Sequence, residues 1–130
     1  MADTDDPDTS ITDAMTQATA RAVDVLGIGT ILCISGSGFT IRSMARFRPS
    51  ARILGLSANE RTVRQLTLSW GTEPLHLPEQ GDIALRVAAA LEAARDRGDV
   101  AVGEMVGILA GTDVRSRSTN VLRIERVPER

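Results

Sequence analysis

Three hydroxyl side chains and two glycines are concentrated in the six residues Ser35-Gly-Ser-Gly-Phe-Thr40. The segment follows the apolar run Thr30-Ile-Leu-Cys-Ile34 and precedes a short helical pattern, so it reads as a strand-to-helix turn. A helix start presents N–H groups that have no partner inside the helix, and its dipole favours a negative charge there. Gly36 and Gly38 let the backbone come close to a ligand, while Ser35, Ser37 and Thr40 add donors without adding charge. That combination suits a phosphate. The same letters also suit a plain turn in which a hydroxyl caps the helix, and the pattern alone does not choose between them. Arg86, on a long helical pattern, and Arg115 and Arg117, flanking Ser116 in a polar loop, are the candidate helpers. Brought to the serine loop, they could fork onto a second anionic group; left apart, they belong to a solvated helix face and a basic loop.

Other chemistry is thinly represented. A Rossmann glycine fingerprint would need glycine at position 41, which is Ile, and Cys33 lies inside the apolar run, where it reads as a small buried hydrophobe. His76 is the sole histidine, with no second His or Cys nearby to share a metal, and reads as structural. Every basic side chain is arginine, which rules out a Walker lysine, a Schiff-base lysine and a lysine general base. The carboxylates gather in the acidic start and on helix surfaces, so no catalytic residue, metal or cofactor is implied. A formal net charge of -2 and the lack of Tyr give neither a blanket attraction to nucleic acid or anionic lipid nor a platform for stacking bases. No apolar run approaches the roughly 20 residues of a membrane span. The acidic N-terminus is unlike a secretory signal and one cysteine excludes an internal disulfide, so the chain is expected to be cytoplasmic.

These residues need a scaffold, and 130 residues suffice for one domain that buries roughly two-thirds of its unfolded surface. Residues 1–9 read as a disordered acidic lead-in and 10–130 as the domain. Ser10-Ile-Thr-Asp13 has capping-box spacing, and Ile11, Met15, Ala18, Ala22, Val25 and Leu26 fall on one face of a helix closed by Gly27. Strands are expected at Thr30–Ile34, Ile53–Leu56, Glu73–Leu77, Met105–Ala110 and Val121–Val127. Between the strands, helices are expected at Phe39–Phe47, after the cap Asn59 with Val63, Leu66 and Leu68 at the apolar positions, and over Gln80–Arg97. The last should hold Ile83, Val87, Leu91 and Ala94 inward and Arg86, Glu92 and Arg95 mostly outward. Alternating strands and helices predict an α/β domain with helices on both faces of the sheet.

Taken together, the ordered segments resemble the C-terminal α/β domain of pyruvate kinase. They are Ser35-Gly-Ser-Gly-Phe-Thr, Ala45-Arg-Phe-Arg-Pro-Ser-Ala-Arg-Ile-Leu-Gly-Leu-Ser57, Thr62-Val-Arg-Gln-Leu-Thr-Leu-Ser-Trp-Gly71 and Gly111 through Ser118-Thr-Asn-Val-Leu-Arg-Ile124. The order holds from about Ile11 to Val127. The resemblance implies a three-layer α/β/α sandwich around a mixed five-stranded sheet with its last strand antiparallel. It also implies an allosteric sugar-phosphate site, in which Ser35, Ser37, Gly38 and Thr40 cradle one phosphate. Arg86 and the late loop at 112–118 would help to hold another. Phe39 and the arginines of the late loop depart from the family pattern. The family's catalytic barrel, with its lysine and metal-holding carboxylates, has no counterpart in these residues, so the chain is expected not to be an enzyme on its own. The leading expectation is a free-standing regulatory module for a phosphorylated small molecule. The alternative is an oligomerisation or docking module, a homodimer or the C-terminal part of a split pyruvate kinase. An enzyme using Ser37 or His76 is a third reading.

Overall fold

The computed structural model describes residues 7–36, 38–67, 72–78, 82–110 and 121–129. Five strands form one sheet: β1 (Thr30–Ile34), β2 (Arg52–Ser57), β3 (Thr72–His76), β4 (Met105–Ala110) and β5 (Val121–Arg126), in the spatial order β3-β2-β1-β4-β5. β1 through β4 run parallel, and β5 returns antiparallel to β4. The helices are α1 (Pro7–Leu26), α2 (Phe39–Arg46), α3 (Glu60–Leu66) and α4 (Ile83–Asp96).

Connection handedness decides which helix lies on which face. From β1 to β2 to β3 the chain steps outward in one direction, and right-handed crossovers place α2 and α3 on the same face. From β3 to β4 it travels back past β2 and β1, so α4 lands on the opposite face. The packing agrees. Ile31, Cys33, Ile53 and Leu109 point into a core with Val23 of α1, Ile41 and Met44 of α2 and Leu66 of α3. Leu32, Leu54, Val106 and Ile108 point the other way, against Val87, Ala90, Leu91 and Ala94 of α4. The central strands are therefore buried on both sides, which is why they read as unbroken apolar runs. The result is the three-layer α/β/α sandwich expected, with a mixed sheet.

Local signals explain the element ends. Asn59 Oδ1 accepts the N–H groups of Arg61 (2.9 Å) and Thr62 (3.3 Å), and Asp82 Oδ1 accepts that of Leu85 at 2.9 Å. Gly27 and Gly98, at φ 68° and 84°, close α1 and α4. Arg48 ends α2 in the left-handed region, at φ 46°, rather than in the extended conformation usual before proline.

Three expectations need correction. α1 begins at Pro7, ahead of the Ser10 capping box and within the lead-in expected over residues 1–9; proline suits the first helical position because its φ is preset and its missing N–H is not needed there. The buried face of α1 is also a different one. Thr12, Thr16, Thr19 and Val23 lie against the sheet, while Ile11, Val25 and Leu26 are exposed. Two of these threonines satisfy their hydroxyls within the helix, Thr16 on the carbonyl of Asp13 (2.9 Å) and Thr19 on that of Met15 (2.7 Å). Their γ-methyls are then free to pack as hydrocarbon. Finally, Arg86 is not outward: it is 7% exposed, on the flank of the stripe that α4 lays on the sheet. At that exposure the guanidinium is buried along with its stem, Nε included, which the charged letter conceals. Leu68, expected as an apolar position after Asn59, lies outside the described residues.

Candidate functional site

Parallel strands put all their carboxyl ends on one edge of the sheet, and the strand order reverses direction between β1 and β4. Open α/β sheets bind ligands in the crevice at such a switch point. Ile34, the last residue of β1, pairs with Ala110, the last of β4, so the two strands end side by side on this edge. α4 follows β3 and begins on this same edge, with Arg86 in its first turn.

The serine loop is held from below by residues that follow β2. Ser35 N–H donates to the carbonyl of Leu56 at 3.0 Å, extending the β1–β2 ladder into the turn. The carbonyl of Gly36 accepts two hydroxyls, Ser57 Oγ at 3.1 Å and Thr62 Oγ1 at 3.0 Å. Ser57 in turn accepts the N–H of Asn59 at 3.1 Å, which ties the loop to the cap of α3. Ser57 and Thr62 are both buried. A carbonyl that would otherwise repel an anion is thereby committed to the interior.

Gly38 turns the chain into α2. It sits at the N-cap with φ 84° and ψ 0°, no side chain caps the helix, and its own N–H donates to Ser35 Oγ at 3.0 Å. Only glycine adopts this left-handed conformation cheaply. It also leaves space that is used: a Cβ there would lie 2.7 Å from Nη1 of Arg42 and 3.0 Å from Cγ2 of Thr62. The Arg42 guanidinium is thus folded back over the loop one turn from its own backbone, a cation that the sequence reading passed over. Its signal was the spacing of four from Gly38, the distance at which a helical side chain reaches back toward the N-terminus. Ser57 and Thr62 were passed over as well, since nothing in their immediate neighbours marks them as loop supports.

Of the candidates read from the sequence, Ser35, Gly36, Gly38 and Thr40 share the loop and the first turn of α2, with Thr40 buried. Arg86 shares their edge of the sheet. Ser37, Arg115 and Arg117 lie outside the described residues. Ser35 closes the turn through its bond with Gly38 N–H without capping α2, and a hydroxyl that accepts one bond keeps its own O–H as a donor.

The remaining reactive groups have structural surroundings. Cys33 is fully buried, and loss of solvation pushes its thiol from 9.0 up to about 12. His76 is exposed at the end of β3, its Nε2 donating to the carbonyl of Ala58 at 3.2 Å. Among the described residues no three of His, Cys, Asp and Glu gather as a metal site, and no helix is long and apolar enough to cross a membrane.

Comparison with known proteins gives a consistent result. The family model for the α/β domain of pyruvate kinase matches residues 13–125. A pyruvate kinase from Methylorubrum extorquens is 32% identical over 126 residues, which are 95% of this chain and 26% of that protein. One from Geobacillus stearothermophilus is 32% identical over 127 residues, 97% of this chain and 22% of the relative. The crystal structure of a pyruvate kinase from Cryptosporidium parvum shares the fold, with a TM-score of 0.79 at 20% identity over 91% of this chain and 23% of its own. The chain therefore spans about a quarter of the length of the relatives it matches.

Proposed function

The chain belongs to the pyruvate kinase α/β-domain family, and from that premise we propose that it is a regulatory binding module for a phosphorylated small molecule, seated at the Ser35–Thr40 loop. The match covers the C-terminal α/β domain, and the catalytic domain of the relatives is absent from these 130 residues. Phosphoryl transfer depends on metal ions and positioned cations around the moving group. The module accordingly binds and reports a phosphate ester rather than turning it over.

The observation that supports the reading is the pairing of Ile34 with Ala110, which sets the start of the serine loop beside the end of β4, at the switch point of the sheet. The inward-turned carbonyl of Gly36, the left-handed entry at Gly38 and the guanidinium of Arg42 all bias that edge toward an anion. Arg86 at the start of α4, with Arg115 and Arg117 of the late loop, would meet a second anionic group.

A thermal-shift series with inorganic phosphate and sugar phosphates tests this. A ligand present at a hundredfold excess over its dissociation constant stabilises by about 2.7 kcal/mol. Such a shift, reduced in Ser37→Ala, is the expected result. No shift with any phosphate ester at millimolar concentration would overturn the reading.

A further inference from the structure

The carbonyl of Gly36 accepts two hydroxyls that come from outside its own loop. Ser57 Oγ reaches it at 3.1 Å from the end of β2, and Thr62 Oγ1 at 3.0 Å from the first turn of α3. Gly36 is itself exposed, so its carbonyl, turned outward, would find water and need no protein donor. Ser57 and Thr62 are 1% and 4% exposed, positions that alanine and valine would fill with no polar group left to satisfy. The two bonds therefore fix a direction rather than meet a need. They hold the negative end of the carbonyl dipole toward the interior.

Thr62 is the residue at which the loop and α3 meet. Its hydroxyl holds Gly36, and its Cγ2 stands 3.0 Å from where a Cβ on Gly38 would be. Its own N–H donates to the cap, Asn59 Oδ1, at 3.3 Å. Ser57 closes the same unit by accepting the N–H of Asn59 at 3.1 Å. The two hydroxyl bonds bridge 21 and 26 residues of chain, so a change in the loop reaches the start of α3 through side chains rather than along the backbone.

We infer that Ser57 and Thr62 are positioning residues: they set the affinity of the serine loop for a phosphate without touching it, and they couple its occupancy to the first turn of α3. The inference rests on the ligand reading above. Calorimetric titration of the full chain with inorganic phosphate and with the sugar phosphates of the thermal-shift series tests it. Thr62→Val keeps the methyl against Gly38 and loses the hydroxyl, whereas Thr62→Ser keeps the hydroxyl and loses the methyl. A purely structural role makes affinity follow the urea midpoint; a positioning role makes it follow the hydroxyl. Thr62→Val and Ser57→Ala should each bind about fivefold more weakly, and Thr62→Ser as tightly as the wild type. At saturation the phosphate should also slow amide exchange at Val63, whose N–H donates to the carbonyl of Asn59 at 3.1 Å, and should slow it less in Ser57→Ala. Should Thr62→Val not fold, Ser57→Ala and the wild-type exchange still decide. Wild-type affinity in Ser57→Ala and Thr62→Val, or Val63 exchange indifferent to phosphate, would sink the inference and leave the ligand reading standing. A wild-type chain that binds no phosphate ester removes both.

Discussion

Two glycines, in the strands on either side of β1, provide a sharp test of how α2 is seated on the sheet. Gly55, in β2, has no room for a methyl group. A Cβ there would lie 2.9 Å from Cγ2 of Ile41, 3.1 Å from its Cδ1 and 3.2 Å from Cγ2 of Thr72. Carbon atoms pack comfortably at about 3.5–4.0 Å, so at least two side chains must retreat. Ile41 is fully buried and can retreat only by moving α2. Overpacking of this kind costs about 1–3 kcal/mol, partly offset by about 0.4–1 kcal/mol from a stiffer unfolded chain. Gly107, in β4, is the internal control: its Cβ would meet Val23 Cγ2 at 3.8 Å and Ile31 Cγ1 at 4.0 Å, which is ordinary contact. We predict that Gly55→Ala lowers stability by about 1–2 kcal/mol and that Gly107→Ala is neutral or slightly stabilising. Urea titration followed by circular dichroism reads this as a change in midpoint at constant slope. Ile41→Ala should also cost less in the Gly55→Ala background than in the wild type, because the two side chains compete for one space. A neutral Gly55→Ala, or a Gly107→Ala the worse of the two, would refute the packing argument.

Gly38→Ala must place an L-residue at φ 84° and push against Thr62, which is itself tied to Gly36, so a loss of about 1–3 kcal/mol in the same urea assay is expected. Asn59→Ala removes the cap of α3 and should cost about 1 kcal/mol, with Asn59→Asp recovering most of it in thermal melts. For Cys33, the native thiol holds its proton up to about 12 while the unfolded one releases it near 9.0. Between those values the unfolded state binds fewer protons, so stability should fall as pH rises, by up to about 4 kcal/mol at the top of the window. A urea midpoint that does not decline in alkaline buffer, or a native thiol that reacts with a chromogenic thiol reagent before denaturant is added, would contradict this.

The strands were legible because β1, β2 and β4 are buried on both sides and their letters admit no polar face. The loop was legible as a strand-to-helix turn because Ser35, Gly36 and Gly38 interrupt that pattern so sharply. α1 was misread for a physical reason: a periodicity count scores threonine as polar, whereas Thr16 and Thr19 return their hydroxyls to their own helix and present methyl groups to the sheet. The apolar letters at Ile11 and Val25 are real, but they face outward. Arg86 was misplaced because a charged letter scores as surface, whereas the whole side chain, Nε included, is buried. The back-folded guanidinium of Arg42 and the support of Gly36 by Ser57 and Thr62 are three-dimensional facts. They depend on β2 lying beside β1 and on the N-cap conformation of Gly38, and no local pattern announces them.

The pairing of β1 with β4 also governs how the domain assembles. Every other strand pair joins neighbours in chain order, whereas Ile31 must find Gly107 after β2, β3 and α4 have intervened. Closing so long a segment is the entropically expensive step, and non-local parallel pairing of this kind slows folding. The adjacency of Ile34 and Ala110 is a product of that one closure. It comes into being only when the two strands meet, so a ligand held across their ends would favour the completed sheet over every partly folded form of the chain.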